Sequence, residues 1–220
     1  MLFACVLGGF SLWELAPRLV RSDVHRLPTN AEAAAVAATA RARAQRAAEF
    51  GAIRGDLWAE AAFTHAAQLW PGAERAADPR AAGDDARAVV EKALAYAPHA
   101  SGVWLMAAGL AFRFGWPSSD AVSALKMSYY TGPNEIYLIP LRLFAATHSS
   151  ALTDGDIQRL VQRDVRMVLT RWPNLKAALP AAYDNAEPEA KRFLERAVTD
   201  TDPSFLETLR TTPPRSGNSR

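Results

Sequence analysis

"SGVWLMAAGLAFRFGWPSSDAVSALKMSYYTGP", Ser101 to Pro133, contains two apolar-periodic runs divided by Gly115 and Pro117 and closed by Gly132 and Pro133. Glycine supplies unusual backbone angles and proline blocks helix continuation, so the stretch reads as helix, turn, helix, stop. In the second run Ala121, Leu125 and Ser128 fall at i, i+4 and i+7, one face of a helix. Small groups at both ends of that face let a neighbour come close, and the leucine fills the space between them. In the first run Trp104 is a large anchor, followed by Ala107, Ala108 and Ala111 at close-packing positions.

The same register recurs when counted back from other prolines. Before Pro98 stand Ala86, Val90 and Ala93; before Pro71, Ala59, Phe63 and Ala66; before Pro173, Val161, Val165 and Val168. Small–apolar–small–Pro thus occurs three times, with a looser fourth copy in which valines replace the small residues. The prolines are spaced 27, 35 and 40 residues apart, so the units are uneven.

On these residues the chain resembles the tetratricopeptide repeat family, a helix–turn–helix unit of about 34 residues. The clearest match is Ser101 to Pro133, through Trp104, Ala108, Ala111, Gly115, Ala121, Leu125, Ser128 and Pro133. It departs from the family by Ala107 where leucine is usual, by Ala108 where glycine is usual, and by one extra residue in the turn. The resemblance spans about residues 31 to 173 and implies an all-α, tetratricopeptide-like solenoid of stacked helix pairs whose first helices line a groove. It places groove positions for a protein partner at Leu105, Phe112 and Arg113. The middle stretch is also similar to a group of membrane-tethered α-proteobacterial proteins, some linked with surface-polysaccharide genes, which implies an envelope setting.

Around this unit further helices are expected. Thr29 and Glu32 form a capping box that opens a long helix to about Gly51. Gly55, within an "RGD" tripeptide read as a turn, acts as C-cap. A helix from about Leu57 to Leu69 ends at Pro71, "PGAERAADPRAAGDD" is a loop, and Asp84 or Asp85 caps a helix to Ala97. Helices near 135–148, 154–171 and 188–199 follow, then a short one capped by Asp202. Pro140 falls inside or at the start of its helix, so a kink is expected there. The helical domain covers 28–210, and 211–220 reads as a mobile tail.

The first seventeen residues, "MLFACVLGGFSLWELAP", are apolar apart from Ser11 and Glu14. Sixteen helical residues before Pro17 span about 24 Å, against about 30 Å of hydrocarbon core. The stretch lacks the basic leader and small-residue cleavage site of a signal peptide. It reads as a hydrophobic anchor over 1–17, with Trp13 and Arg18 at the interface and the body outside the cytoplasm. A first buried helix of a soluble domain is the alternative.

Half of the 220 residues are hydrophobic, 22% are charged and the formal net charge is +2, a globular composition that demands no polyanionic partner. Basic residues are not interleaved with aromatics, so nucleic acid is not expected. Cys5 is alone and His25, His65, His99 and His148 are scattered, so no metal site and no cofactor are expected. Phosphate-loop, dinucleotide, zinc-protease and nucleophile-elbow motifs are absent. "TDGD" at 153–156 reads as a helix N-cap. The expected function is therefore non-enzymatic: a membrane-tethered protein-interaction scaffold of the cell envelope, in polysaccharide assembly or export. The other reading is a carbohydrate-binding or enzyme-accessory module built on Trp58, Trp70, Trp116 or Trp172. Tyr129, Tyr130 and Asn134 are a second candidate surface.

Overall fold

In the computed structural model the described residues are 21–70, 78–184 and 186–211, with 3, 4, 6–9, 11, 13 and 15 of the N-terminal stretch. Among them there is no strand, and the chain is all-α. The helices are α1 (Ala31–Thr39), α2 (Arg41–Gly51), α3 (Gly55–Phe63), α4 (Pro79–Tyr96), α5 (Ser101–Phe114) and α6 (Ser118–Thr131). They continue with α7 (Ile139–Thr147), α8 (Gly155–Thr170), α9 (Ala178–Asp184), α10 (Pro188–Thr199) and α11 (Leu206–Thr211), with single 3-10 turns between several of them.

The most extensive packing is between α5 and α6, followed by α3 with α4. Both pairs are antiparallel, because the start of the first helix meets the end of the second. A Cβ on Gly55, first residue of α3, would lie 2.5 Å from the Tyr96 carbonyl oxygen at the end of α4. A Cβ on Gly132, just after α6, would lie 2.5 Å from Ser101 Cβ at the start of α5. Each pair closes at a glycine, where any side chain would prise the two ends apart.

Second helices bury the face that spacing predicts. Ala86, Val90 and Ala93 of α4, Ala121, Leu125 and Ser128 of α6, and Val161, Val165 and Val168 of α8 are all buried. Ala108 and Ala111 are buried on α5, while Trp104 is half-buried against the core.

The register before Pro71 needs correcting. Ala59, Phe63 and Ala66 are buried, but Ala59 and Phe63 lie in α3, the first helix of its pair, and Ala66 lies in a 3-10 turn. Helix α3 stops at Phe63, and Pro71 itself lies outside the described residues. The structural match is Trp58 with Trp104. Trp58 Nε1 donates to the Ala52 carbonyl, six residues back, at 2.7 Å. Trp104 Nε1 donates to the Pro98 carbonyl, also six residues back, at 2.7 Å.

Several boundaries also differ from expectation. The long first helix is two helices, broken at Ala40, and its cap is Asn30 rather than Thr29: the Asn30 side chain accepts from Ala33 N–H at 2.8 Å. The turn before α3 is made by Ala52, at φ 51°, and Gly55 belongs to the helix. Helix α4 starts earlier than expected because Asp78 is its cap, with Pro79 in the first turn. Pro140 likewise sits in the first turn of α7, where its missing N–H costs little. Helix α9 begins within "WPNLKAALP", residues 172–180, whose prolines masked its periodicity. Of the anchor expected at 1–17, residues 3, 4, 6–9, 11, 13 and 15 are described and are helical; of the tail expected at 211–220, Thr211 is the last residue of α11 and the rest lies outside the described residues. No helix among the described residues is long and apolar enough to cross a membrane.

Candidate functional site

Between Arg21 and Asn30 the chain is not helical and makes no backbone–backbone hydrogen bond before Asn30 among the described residues. Side chains hold this strap instead. Glu60, buried on α3, accepts from Arg21 Nε at 2.7 Å, Ser22 Oγ at 3.1 Å and His25 Nδ1 at 2.7 Å. A buried carboxylate is tolerated only with such partners. Further along, Leu27 is buried, with its Cβ 3.6 Å from where a Cβ on Gly102 of α5 would stand. The Arg26 guanidinium lies 5.3 Å from the Tyr137 ring centroid, beside α7. The strap thus runs as an irregular segment past α3, α5 and the start of α7.

Leu27 then forms one wall of a cavity of about 490 Å³. On α5, Leu105, Gly109 and Phe112 stand at i, i+4 and i+7 and give it one helical face, with Arg113 beside them. Helix α7 contributes Leu141 and Phe144, and α9 contributes Ala178 and Ala182. Gly109 lets Leu69 lie against α5, since a Cβ there would come 2.7 Å from Leu69 Cδ2. Leu105, Phe112 and Arg113, the groove positions implied by the repeat resemblance, are thereby brought to one surface. Leu105 is buried at its floor, Phe112 is half-buried, and Arg113 is exposed. Arg113 makes no ion pair among the described residues, and no Asp or Glu lines the cavity.

The tryptophans do not form one platform. Trp58 is buried, Trp116 stacks on Phe114 beneath Arg87, and of the four Trp70 lines this cavity. Tyr129 and Tyr130 also part company: Tyr129 is buried while Tyr130 is exposed.

A buried polar cluster escaped the sequence reading. Arg142, on α7, is fully buried. Its Nε donates to Ser128 Oγ at 3.1 Å, and a terminal nitrogen donates to the Ser128 carbonyl and, at 3.0 Å, to the Gly132 carbonyl. A side chain from the next unit thus adds a second hydrogen bond to two carbonyls at the C-terminus of α6, which also accept from Gly132 N–H and Glu135 N–H. The guanidinium also lies 4.6 Å from the Tyr129 ring centroid. Asp164 of α8 is buried close by, and burial raises its pKa to about 6 even though Arg142 and Arg163 pull the other way. The one available signal was a charged residue inside the apolar run "IPLRLFAAT".

"TDGD" does what an N-cap does: Asp154 accepts from Asp156 N–H at 2.9 Å and Ile157 N–H at 3.1 Å. Its other oxygen takes Lys126 Nζ at 2.8 Å, so the acids are partly neutralised within the protein. No cluster of three or more His, Cys, Asp or Glu suited to a metal occurs among the described residues. In comparisons with known proteins, the chain matches no family model, no curated protein and no solved structure.

Proposed function

We propose that this chain is a non-enzymatic, tetratricopeptide-like interaction scaffold that binds a segment of another protein on the face bearing Leu105, Phe112 and Arg113. The observation that supports this reading is the strap. A non-helical segment of the chain's own sequence lies across α3, α5 and the start of α7, held by side chains and by one buried leucine. A face that accommodates a non-helical peptide in cis is suited to accept one in trans, with pockets for individual side chains supplying selectivity. Phe112 beside Arg113 is the kind of aromatic and arginine pair that concentrates binding energy. The antiparallel pairs α3–α4 and α5–α6, with their matched tryptophan bonds, support the repeat reading.

Residues 1–17 are proposed as the tether, on their apolar composition, and the partner as an envelope or membrane protein of the polysaccharide assembly or export class. Crosslinking capture from native membranes tests the scaffold. A partner captured by the wild type and lost from a Phe112→Ala, Arg113→Ala variant of unchanged circular dichroism supports the face. Identical captures overturn its assignment.

A further inference from the structure

We propose that the cavity beside α5 is a binding site for a small hydrophobic carboxylate, an alkyl or arylalkyl acid of medium length. This goes beyond the partner-binding reading and does not depend on it. At about 490 Å³ the cavity falls within the roughly 300–1,000 Å³ of small-molecule sites, which are apolar with a few placed polar groups. Its floor is buried leucine and alanine, whereas Phe144, 48% exposed, and Arg113 mark its opening to solvent.

The charge of the ligand follows from the lining. Arg113 is the single Lys or Arg of that lining, the described residues offer it no ion pair, and the lining carries no carboxylate. One guanidinium at the edge of an apolar trough complements one negative charge, and its planar fork matches a carboxylate in two parallel hydrogen bonds. A cationic amphiphile would meet repulsion there, and a neutral one would gain no charge-assisted bond from the guanidinium. The length of the apolar body follows from α5. Leu105 and Phe112 are seven residue steps apart, about 10 Å of helix at about 1.5 Å per step. Leu27 closes the end away from Arg113's side of the trough, so the alkyl end is directed toward the strap and the acid toward solvent.

Calorimetric titration of the purified chain with decanoate, decyltrimethylammonium and decanol tests the assignment. Decanoate is expected to saturate a single site and decyltrimethylammonium to bind at least tenfold more weakly. Arg113→Ala, at an exposed position, should weaken decanoate by about tenfold or more, the size of a charge-assisted hydrogen bond, while changing decanol little. Ala145→Phe, from α7, should fill the cavity and abolish binding of both; Ala178→Phe, from α9, repeats that test if Ala145→Phe loses helicity. Absence of saturable decanoate binding overturns the proposal. So does decyltrimethylammonium binding as tightly as decanoate, or unchanged decanoate binding in the variants. Failure of the wild type to capture any partner, with decanoate binding intact, would count against the scaffold reading and leave this one standing.

Discussion

Trp58 and Trp104 are structural equivalents: each indole N–H reaches back six residues to a carbonyl, Ala52 and Pro98, at the same 2.7 Å. The bond ties the start of a first helix to the turn that precedes it. The two copies differ in setting, since Trp58 is buried beneath Lys92, whose Nζ is 4.1 Å from its ring centroid, while Trp104 is half-buried. Phenylalanine at either position removes the donor. Trp58→Phe should cost about 2 kcal/mol because it removes a part-buried hydrogen bond and leaves a gap where the buried indole packs, and Trp104→Phe about 1 kcal/mol or less because that bond is exposed and water can replace the indole. Urea midpoints of the two variants measure the difference. Equal losses would mean the buried copy has no special role.

That equivalence also shows what was legible in the sequence. The faces of α4, α6 and α8 could be read because helical spacing repeats every turn and each helix is followed by a proline that stops it. Near α3 the rule misled, because the helix ends at Phe63, well short of Pro71, and Ala59 and Phe63 matched the pattern from the wrong helix of the pair. The strap was illegible for a different reason. Glu60 meets Arg21 and His25 across separations of 39 and 35 residues, and an irregular segment has no period to announce such a contact.

Glu60→Gln should loosen the strap without unfolding the helices. The variant loses the carboxylate that accepts from Arg21, Ser22 and His25, while Arg21 and His25 are exposed enough to regain water. A loss of about 2 kcal/mol, typical of charge-assisted hydrogen bonds, is expected in the strap. Arg21 and Arg26 are both trypsin sites, so native-state proteolysis reads this directly. Cleavage after either should accelerate on the order of tenfold in a regime where it follows the open population. An unchanged rate with unchanged stability would show that Leu27 alone holds the segment.

Arg142 links two units, α7 to the end of α6, through Ser128 and Gly132. Arg142→Ala should destabilise by about 3–5 kcal/mol, because it opens a cavity, strips buried Ser128 Oγ of its donor and removes a favourable charge from buried Asp164 at once. Arg142→Lys should recover less than half of that loss, since an ammonium cannot reproduce the forked contact. Chemical denaturation of both variants checks the order. A lysine variant as stable as wild type would reduce the role of Arg142 to simple charge.

Asp164 gives the protein a pH dependence of defined sign. Its folded pKa, about 6, is above the ordinary 3.8, so between those values the native state holds a proton that the unfolded chain releases. The associated stability is fully present below 3.8 and is lost as pH rises through about 6. At 1.36 kcal/mol per pKa unit the loss amounts to about 3 kcal/mol. Asp164→Asn keeps the shape and cannot ionise, so it should lack this decline and gain on wild type above pH 7. Other carboxylates titrate in the same range, and subtracting the variant's denaturation midpoints from those of wild type cancels them. Arg142→Met, which removes the larger of the two favourable charges, should enlarge the decline and extend it to higher pH. Parallel curves for wild type and Asp164→Asn would mean that the two arginines already offset the burial of the carboxylate.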